Sequence, residues 1–309
     1  MKRITFIKKL VISLILSVHR PGLRVISLES GEVPLKLLGA DQAGDQIILF
    51  DAIPDNDGLV QGDPVWNFAP DFRPTDAKRV DQNDRISVLV ASHGAIYEVP
   101  FDHKSKVVWA PTYTSCHSVE KLPDGNLISA SSNDHQLTIH FNPQPDGERI
   151  KLTSTSDLRF ETAHGVVYDR SRNCLWAIGQ VLGKFTYIPG ETPRIELAET
   201  WELPYNHTDG HDLFPLPNGN LLITTHEGVL ELPMGNFSDA IIHSNLKNVK
   251  SAGADEHGHL YITDPTDIKS YETWQTDSIL NLANGMVLKR PGARFYKVRP
   301  WLPNSFSYF

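Results

Sequence analysis

Four stretches of the chain repeat one pattern: HSVEKLPDGNLISA (117–130), HGVVYDRSRNCLWA (164–177), HDLFPLPNGNLLIT (211–224) and KSAGADEHGHLYIT (250–263). Each begins with His or Lys, followed by Ser, Gly or Asp, and each ends in a strand-like apolar run. Three of the four carry Gly eight residues after the first position. The turn sequences PDGN and PNGN are typical of tight connections between antiparallel strands. The repeated pattern therefore predicts a series of β-hairpins.

A fifth, looser copy with a shorter turn is KRVDQNDRISVLVA (78–91). The separations between the opening residues of the five copies are 39, 47, 47 and 39 residues, and the opening residues themselves are Lys78, His117, His164, His211 and Lys250. Repeats of this length are typical of the four-stranded blades of a β-propeller. The chain is therefore predicted to be an all-β propeller.

Further strand-like segments complete the blades, such as LTIHF (137–141) after the first hairpin and GVLELP (228–233) after the third. An additional blade is predicted before residue 78, and ARFYKVRPW (293–301) is predicted to be the last strand. The count favours six antiparallel four-stranded blades, closed by pairing of the N- and C-terminal segments, within a single domain at 31–309. A seven-bladed ring and a β-sandwich are the alternatives, although a sandwich does not predict evenly phased copies.

The first thirty residues are predicted to be a separate segment, either signal-peptide-like or disordered. Basic residues at positions 2, 3, 8 and 9 precede an apolar run from Leu10 to Val18 that is too short to span a bilayer. This pattern is typical of a secretory signal peptide, although no small-x-small cleavage site follows the run. An uncleaved anchor and a wrongly assigned start codon are the alternatives. We expect a secreted, periplasmic or cell-surface protein, with no other segment that enters a membrane.

Composition excludes several other classes of protein. The 309 residues include 29 Lys and Arg against 37 Asp and Glu, a net charge of -8, which argues against a nucleic-acid partner. The two cysteines, Cys116 and Cys174, form neither a disulfide framework nor a four-cysteine zinc site, and both are predicted to be buried core residues. No GxSxG nucleophile motif is present. A monomer is expected.

The repeated opening residue is predicted to face the propeller axis, because the first strand of every blade lines the centre. Three imidazoles and two ammonium groups would then form a ring, and unpaired groups of this kind are costly to bury. The simplest interpretation is structural, with each His hydrogen-bonded to a backbone carbonyl of the next blade. The functional interpretation is an anion site, since these basic groups gather against the overall negative charge.

A divalent metal in the central channel is the alternative interpretation of the same ring. His117, His164 and His211 could each offer one nitrogen to the ion. However, no local ligand motif such as HExxH occurs, and the neighbouring lysines would repel a cation. We therefore predict no cofactor, with the three-histidine metal site kept as the alternative.

Loops between the strands are predicted to add further residues to the same mouth. Tyr205, Arg159 and His226 stand on such loops, and Trp274 belongs to a long insertion at 264–277 that also contains Tyr271. An aromatic side chain there could stack on a sugar ring, because its face is apolar and its edges tolerate polar groups.

The phased HS, HG and HD pairs, the PxGNL turns, the VKSAG segment and the ending WQTD…ARFYK resemble an uncharacterised family of secreted bacterial six-bladed propeller proteins over residues 36–301. That resemblance implies the fold and brings no established activity. More distantly, the arrangement is similar to β-propeller polysaccharide lyases, including the rhamnosyl-glucuronate and oligogalacturonate types. Those families use His with Arg, Lys or a metal in the channel mouth, but none of their catalytic positions can be matched to this sequence.

The leading hypothesis is a carbohydrate-active lyase that eliminates at a uronic acid of an acidic glycan. Lys78, Arg79 and Lys250 would neutralise the carboxylate, and one imidazole, with His164 favoured, would remove the adjacent proton. A second group would protonate the leaving oxygen. The predicted catalytic residues are His117, His164, His211 and Tyr205, and the predicted substrate-binding residues are Lys78, Arg79, Lys250, Arg159, His226 and Trp274.

Two other classes of function remain open from the sequence. One is a propeller hydrolase of the lactonase or esterase type, which usually holds calcium through oxygen ligands that this ring does not offer. The other is a non-enzymatic propeller that binds a glycan or a protein. The fold alone does not decide among these classes.

Overall fold

The structure, a computed structural model, describes residues 34–265, 273–303 and 306. The predicted signal-peptide-like segment and Tyr271 lie outside these residues. Pro34–Phe309 forms a compact unit. Within its described residues, the regular structure consists of strands and the short 3-10 turns Pro204–Asn206 and Phe237–Asp239. Within the described residues, no helix has the length and apolar character needed to cross a bilayer.

The first sheet joins the two ends of the described chain. Its strand order is β24-β1-β2-β3, and its members are β1 (Lys36–Asp41), β2 (Gln46–Asp51), β3 (Trp66–Phe68) and β24 (Phe295–Pro300). Strand β24 runs antiparallel to β1, with Leu37 opposite Pro300 and Gly39 opposite Val298. The pairing of N- and C-terminal segments that the sequence predicted is therefore present.

The second sheet has eight strands in the order β4-β5-β6-β7-β11-β10-β9-β8. Its first half contains β4 (Pro74–Gln82), β5 (Arg85–Ser92), β6 (Ala95–Pro100) and β7 (Val108–Pro111). Its second half contains β8 (Cys116–Lys121), β9 (Leu127–Ser131), β10 (Gln136–Asp146) and β11 (Arg149–Arg159). Each half is an antiparallel meander, and the halves are joined at their outer edges by a short parallel pairing of β7 with β11.

Three more antiparallel sheets of four strands follow in chain order. The third contains β12 (Gly165–Asp169), β13 (Cys174–Ile178), β14 (Leu182–Ile188) and β15 (Arg194–Trp201). The fourth contains β16 (Asp212–Pro215), β17 (Leu221–Thr224), β18 (Val229–Leu232) and β19 (Ile241–Ser244). The fifth contains β20 (Ala252–Ala254), β21 (Leu260–Thr263), β22 (Ser278–Asn281) and β23 (Val287–Lys289). The prediction of an all-β fold built from four-stranded antiparallel units is confirmed.

The inner strands meet in a closed cycle. Strand β24 contacts β4, and the contacts continue through β8, β12, β16 and β20 back to β24. Apolar side chains fill the space between neighbouring units, as where Ile139 of β10 packs in one cluster with Val166 and Leu175 of the next unit. Each fully buried side chain of this size contributes about 1.5–3 kcal/mol to folding. The cycle brings the starts of several inner strands to one mouth.

The repeated turns form where the sequence places them. Gly125, Gly219 and Gly258 all have positive φ angles of 82–89°, which a residue without a Cβ adopts without strain. In the copy that lacks this glycine, the left-handed position falls on Asn173, with φ of 49°. Asn is one of the few other residues that tolerates this conformation. The turn chemistry therefore explains the phasing of the hairpins.

Candidate functional site

Four of the five repeated basic residues come together at the mouth formed by the starts of the inner strands. The ring centroids of His117 and His164 are 4.6 Å apart, and those of His164 and His211 are 5.3 Å apart. The Lys250 Nζ atom lies 2.8 Å from Nε2 of His211. These four residues are called the mouth cluster below.

The prediction that Lys78 lies in this ring is wrong, because the pairing of the strands does not follow the gap-free alignment of the sequence repeats. In β8, His117 occupies a bulge, an extra residue between two positions that pair with β9. The matching bulge in β4 holds Thr75. Counted from these bulges, Lys78 corresponds to Glu120, three residues further along the strand. Lys78 Nζ accordingly lies 3.6 Å from the Glu120 carboxylate and donates to the carbonyl of Val166, inside the inner strands.

Hydrogen bonds to backbone carbonyls orient two of the imidazoles. Nδ1 of His164 donates to the carbonyl of Thr162 (3.1 Å), and Nδ1 of His211 donates to the carbonyl of Val249 (3.2 Å). Because a carbonyl oxygen only accepts, the neutral rings carry their lone pairs on Nε2. The structural interpretation of the sequence thus describes one nitrogen of each of these rings. Nε2 of His164 has no partner among the described residues, whereas Nε2 of His211 accepts a hydrogen bond from Lys250. His117 Nδ1 pairs instead with the Ser132 hydroxyl (2.8 Å).

The three imidazoles are uncharged at neutral pH. Burial, followed by the charge of Lys297, lowers the pKa of His117 to about 3. Burial and the neighbouring imidazoles hold the pKa of His164 well below its ordinary value. Burial also lowers the pKa of His211, against the opposing effect of Asp209. The positive character of the mouth therefore comes from lysine rather than from imidazolium.

Lys250 is the group of the mouth cluster that titrates near physiological pH. Burial lowers its pKa to about 8, with Asp209 opposing the shift and Lys297 reinforcing it. The Asp209 carboxylate is 44% exposed and lies 3.3 Å from Nε2 of His211. The contact with His211 keeps the pKa of Asp209 below its ordinary value. Lys250 and Asp209 thus both approach Nε2 of His211, which accepts a hydrogen bond from the ammonium.

A buried ion network closes the axis beneath the mouth. Arg299 of β24 donates to Asp76 of β4 (2.8 Å) and, through both terminal nitrogens, to Asp212 of β16 (2.6 and 2.8 Å). Lys297 donates to Asp212 (3.1 Å) and to the carbonyl of His117 (3.0 Å). All four charged side chains are at most 4% exposed. The sequence analysis missed this network, although the alternation Lys-Val-Arg in the last strand marks two charges on one face.

Tyr296 is a second residue at the mouth that the sequence analysis missed. Its ring centroid lies 5.7 Å from that of His117. Its hydroxyl has no hydrogen-bond partner in the described part of the chain, and it is not one of the fully buried unpaired atoms, so it borders on open space. Burial raises the pKa of this phenol, so it stays protonated. Tyr296 and its neighbour Lys297 both lie in a bulge of β24. The sequence gives no signal for this bulge, and both residues were therefore missed.

Within the part of the chain that the structure describes, Tyr205, Arg159 and Arg79 contact other residues and not the mouth cluster. The Tyr205 hydroxyl donates to the carbonyl of Ala240 (2.6 Å). Arg159 is 73% exposed and pairs with Glu161. Arg79 pairs with Asp81 and lies over the ring of Trp301. No described contact connects these three predicted residues to the imidazoles.

The two other predicted substrate-binding residues lie in loops. His226 is exposed, and its charge helps to lower the pKa of Asp209, so it stands near the edge of the mouth. Trp274 is 38% exposed and makes no described contact with the mouth cluster. The roles assigned to them from the sequence stay predictions.

The metal hypothesis also stays a prediction. Among residues 34–265, 273–303 and 306, no group of three or more His, Cys, Asp or Glu side chains is arranged to hold a metal ion. Lys250 lies beside His211, and the Lys297 ammonium lies beneath His117. These are the repelling neighbours that the sequence analysis anticipated, with Lys297 in place of Lys78.

The sequence model of DUF6528, described as a family of unknown function, matches residues 66–309. The chain belongs to DUF6528. This agrees with the predicted membership of an uncharacterised family. Among curated proteins, none matches this DUF6528 chain.

Solved structures similar to this DUF6528 protein share its fold at low sequence identity. A protein of unknown function from Bacteroides caccae is 13% identical with a TM-score of 0.57, over 87% of this chain and 99% of the other. A streptogramin B lyase is 12% identical with a TM-score of 0.52, over 88% and 82%. A putative 6-phosphogluconolactonase from Bacteroides uniformis is 12% identical with a TM-score of 0.48, over 82% and 81%. The streptogramin B lyase is β-propeller-like, and its likeness to this chain concerns the fold alone.

Proposed function

We propose that this DUF6528 protein is a six-bladed β-propeller and a lyase that eliminates at a uronic-acid residue of an acidic glycan bound at the mouth. The blade count is supported by counting each half of the eight-stranded sheet as one blade. It is also supported by the closed cycle of inner strands. The proposed enzyme is secreted, monomeric and independent of a cofactor.

One observation carries the proposed chemistry: an ammonium group and a neutral imidazole with a free Nε2 meet in the same half-open mouth. Lys250 supplies the positive charge, 2.8 Å from His211. His164 lies next to His211, and its side chain is 12% exposed. Elimination next to a carboxylate requires this combination, because the cation makes the adjacent C–H bond more acidic while the base removes its proton.

Substrate binding would also strengthen the base. In the free protein, burial and nearby positive charge keep His164 neutral and weakly basic. A substrate carboxylate beside Lys250 brings negative charge into the mouth and favours the imidazolium, so it raises the pKa of His164. The base therefore becomes effective only when the acidic sugar is in place.

The proton and electron balance of the step is complete with residues of the mouth. The sugar C5–H bond breaks, and its proton moves to Nε2 of His164. The electron pair forms the C4=C5 double bond while the C4–O bond breaks. The leaving oxygen takes the proton of Tyr296. Tyr296 then recovers a proton from solvent, and His164 releases the proton it took from C5 to solvent. Tyr296 takes the acid role here because the hydroxyl of Tyr205 is engaged in a hydrogen bond that it donates to the carbonyl of Ala240.

The test is an ultraviolet assay for double-bond formation on polygalacturonate, alginate, hyaluronan and ulvan. We expect turnover of at least one of these glycans. His117→Ala, His164→Ala and His211→Ala, made one at a time, are expected to reduce kcat/KM, with the loss for His164→Ala at about a hundredfold or more. His257→Ala is the matched control, since its side chain is 63% exposed and lies in the β20–β21 turn.

The other classes of function give different results in the same experiment. Release of acid from a methyl-esterified polygalacturonate, without the double-bond absorbance, would indicate a hydrolase of the esterase type. Saturable glycan binding without any product would indicate a binding propeller. Full elimination activity in all three histidine variants would contradict the assigned mechanism even if the protein is a lyase.

A further inference from the structure

A second cleft lies outside the mouth cluster, between the outer strands of the third sheet and the loop at 234–238 of the fourth. Its volume is about 970 Å³ with open solvent included. It has no residue in common with the mouth cluster, and it is called the rim cleft below. Its aromatic and charged lining consists of Arg172, Trp176, Lys184, Glu199, Trp201 and Phe237.

Three aromatic rings form one wall of the rim cleft. The Trp201 and Phe237 centroids are 4.9 Å apart at an interplanar angle of 87°, and Trp176 lies 5.7 Å from Trp201. Trp176 is buried beneath the other two, which are half-buried. Hydrogen bonds within the 234–238 loop, such as Ser238 to Asn236, fix the loop that carries Phe237. The wall is therefore preorganised, which reduces the entropy lost on binding.

Trp201 also offers an unused hydrogen-bond donor. The indole nitrogens of Trp66, Trp109 and Trp176 all donate to protein oxygens. Among the described residues the indole nitrogen of Trp201 has no partner, and it is not a fully buried atom. An indole that lines a cleft and has a free donor can stack on a ring and hydrogen-bond to its substituents.

A β-bulge places charged groups beside this aromatic wall. Lys184 pairs in register with Glu199, and the register then shifts before Phe185, which pairs with Leu197. Bulges of this kind re-aim side chains and are frequent next to functional sites. The Lys184 ammonium lies 3.7 Å from Glu199 and 5.9 Å from the Trp176 ring. Arg172 is paired with Asp169 (2.6 Å).

We propose that the rim cleft binds an uncharged pyranose unit of a glycan. The sugar ring would stack on Trp201, and its hydroxyls would bridge Glu199, Lys184 and the free indole donor. Lys184 is paired with Glu199, and Arg172 is paired with the buried Asp169, so neither cation is left without a carboxylate for an acidic sugar to replace. This distinguishes it from the mouth, where Lys250 favours a carboxylate.

The proposal is tested by isothermal titration calorimetry of the full chain with cellohexaose, mannohexaose, xylohexaose and hexagalacturonate. At least one neutral oligosaccharide is expected to bind saturably, and Lys250→Met is expected to bind it as the wild type does. Trp201→Ala and Glu199→Gln are each expected to lower the association constant about tenfold, the loss of one stacking contact or one strong hydrogen bond. Glu199 is 56% exposed, so its variant keeps the test valid if Trp201→Ala fails to fold.

Trp109→Phe is the matched control, because Trp109 is a rim tryptophan of another sheet whose indole is already bonded to Asp146. It should leave binding unchanged. Binding of hexagalacturonate alone, binding of none of the neutral oligosaccharides, or equal binding by wild type and both cleft variants would overturn the proposal. None of these results depends on elimination activity at the mouth.

Discussion

At the scale of single residues, Lys250 decides the charge of the mouth. Its pKa of about 8, lowered mainly by burial, means that the ammonium is present below that pH and is lost as the pH rises through it. We expect the ¹³Cε resonance of Lys250, assigned with Lys250→Met, to titrate with a midpoint near 8. The resonance of exposed Lys104 serves as the reference for a solvated ammonium.

The neighbours of Lys250 give this measurement a direction as well as a value. Asp209 raises the pKa of Lys250, so Asp209→Asn should move the midpoint further down. An upward shift of the Lys250 midpoint in Asp209→Asn would contradict this expectation. So would a wild-type midpoint at the ordinary lysine value. Either result would mean that Lys250 is solvated and does not interact with the Asp209 carboxylate. The mouth would then carry a permanent cation, and its affinity for a carboxylate would not fall above pH 8.

At the scale of elements, the sequence predicts hairpins well and bulges poorly. The turn residues and the apolar alternation locate the repeats because both are local chemistry. The alignment of Lys78 failed because the β4–β5 hairpin is longer than the β8–β9 hairpin: the paired residues Asp76 and Ala91 are 15 positions apart, but Ser118 and Ala130 are 12 positions apart. A gap-free alignment therefore places Lys78 three residues too far along the strand. The bulges that hold Thr75 and His117 mark the matching positions, but they have no fixed sequence signature here, since one contains a hydroxyl and the other an imidazole.

Strand β10 shows the same limit. It covers Gln136–Asp146 and so extends well beyond the predicted segment 137–141, although Pro143 and Pro145 fall within it. Strand β9 covers only residues 136–140 of β10, so the prolines stand where β10 has β11 as its neighbour on one side only. A missing N–H is tolerated at such an edge. The extension lets β11 reach β7, a contact that sequence periodicity does not reveal.

We expect this outer junction to stabilise the fold without affecting the mouth. Trp109 of β7 donates to Asp146 (2.9 Å), and Lys151 lies over its ring (5.1 Å). Trp109→Ala should lower the free energy of unfolding by about 1–2 kcal/mol, the sum of one hydrogen bond and one exposed cation–π contact. Urea denaturation measures this change, with exposed Asp157→Ala on β11 as the control. A loss equal to that of the control would show that the two halves of the sheet are held together elsewhere.

At the scale of the whole molecule, the axis network connects parts of the chain that are far apart in sequence. Asp76, Asp212 and Arg299 come from three sheets and meet in the centre. Burial opposes ionisation of Asp76, but the charges of Arg299 and Lys297 hold its pKa below the ordinary value. Sequence periodicity assigns each strand a face, but it does not say which charges meet across the closed cycle. That is why the mouth was anticipated and its buried floor was not.

This network makes closure of the cycle of inner strands depend on β24. Removing one partner leaves the opposite charge buried and unpaired, so Asp212→Ala should lower the free energy of unfolding by about 3–5 kcal/mol. The double variant Asp212→Leu with Arg299→Met should lose much less than the two single variants together, because no charge of that pair is left unmatched. Arg79→Ala, which breaks a half-buried pair at the edge, should change stability by about 1 kcal/mol or less. Additive losses in urea denaturation would instead mean that Arg299 and Asp212 act independently, and closure would then rest on the backbone pairing of β24 with β1.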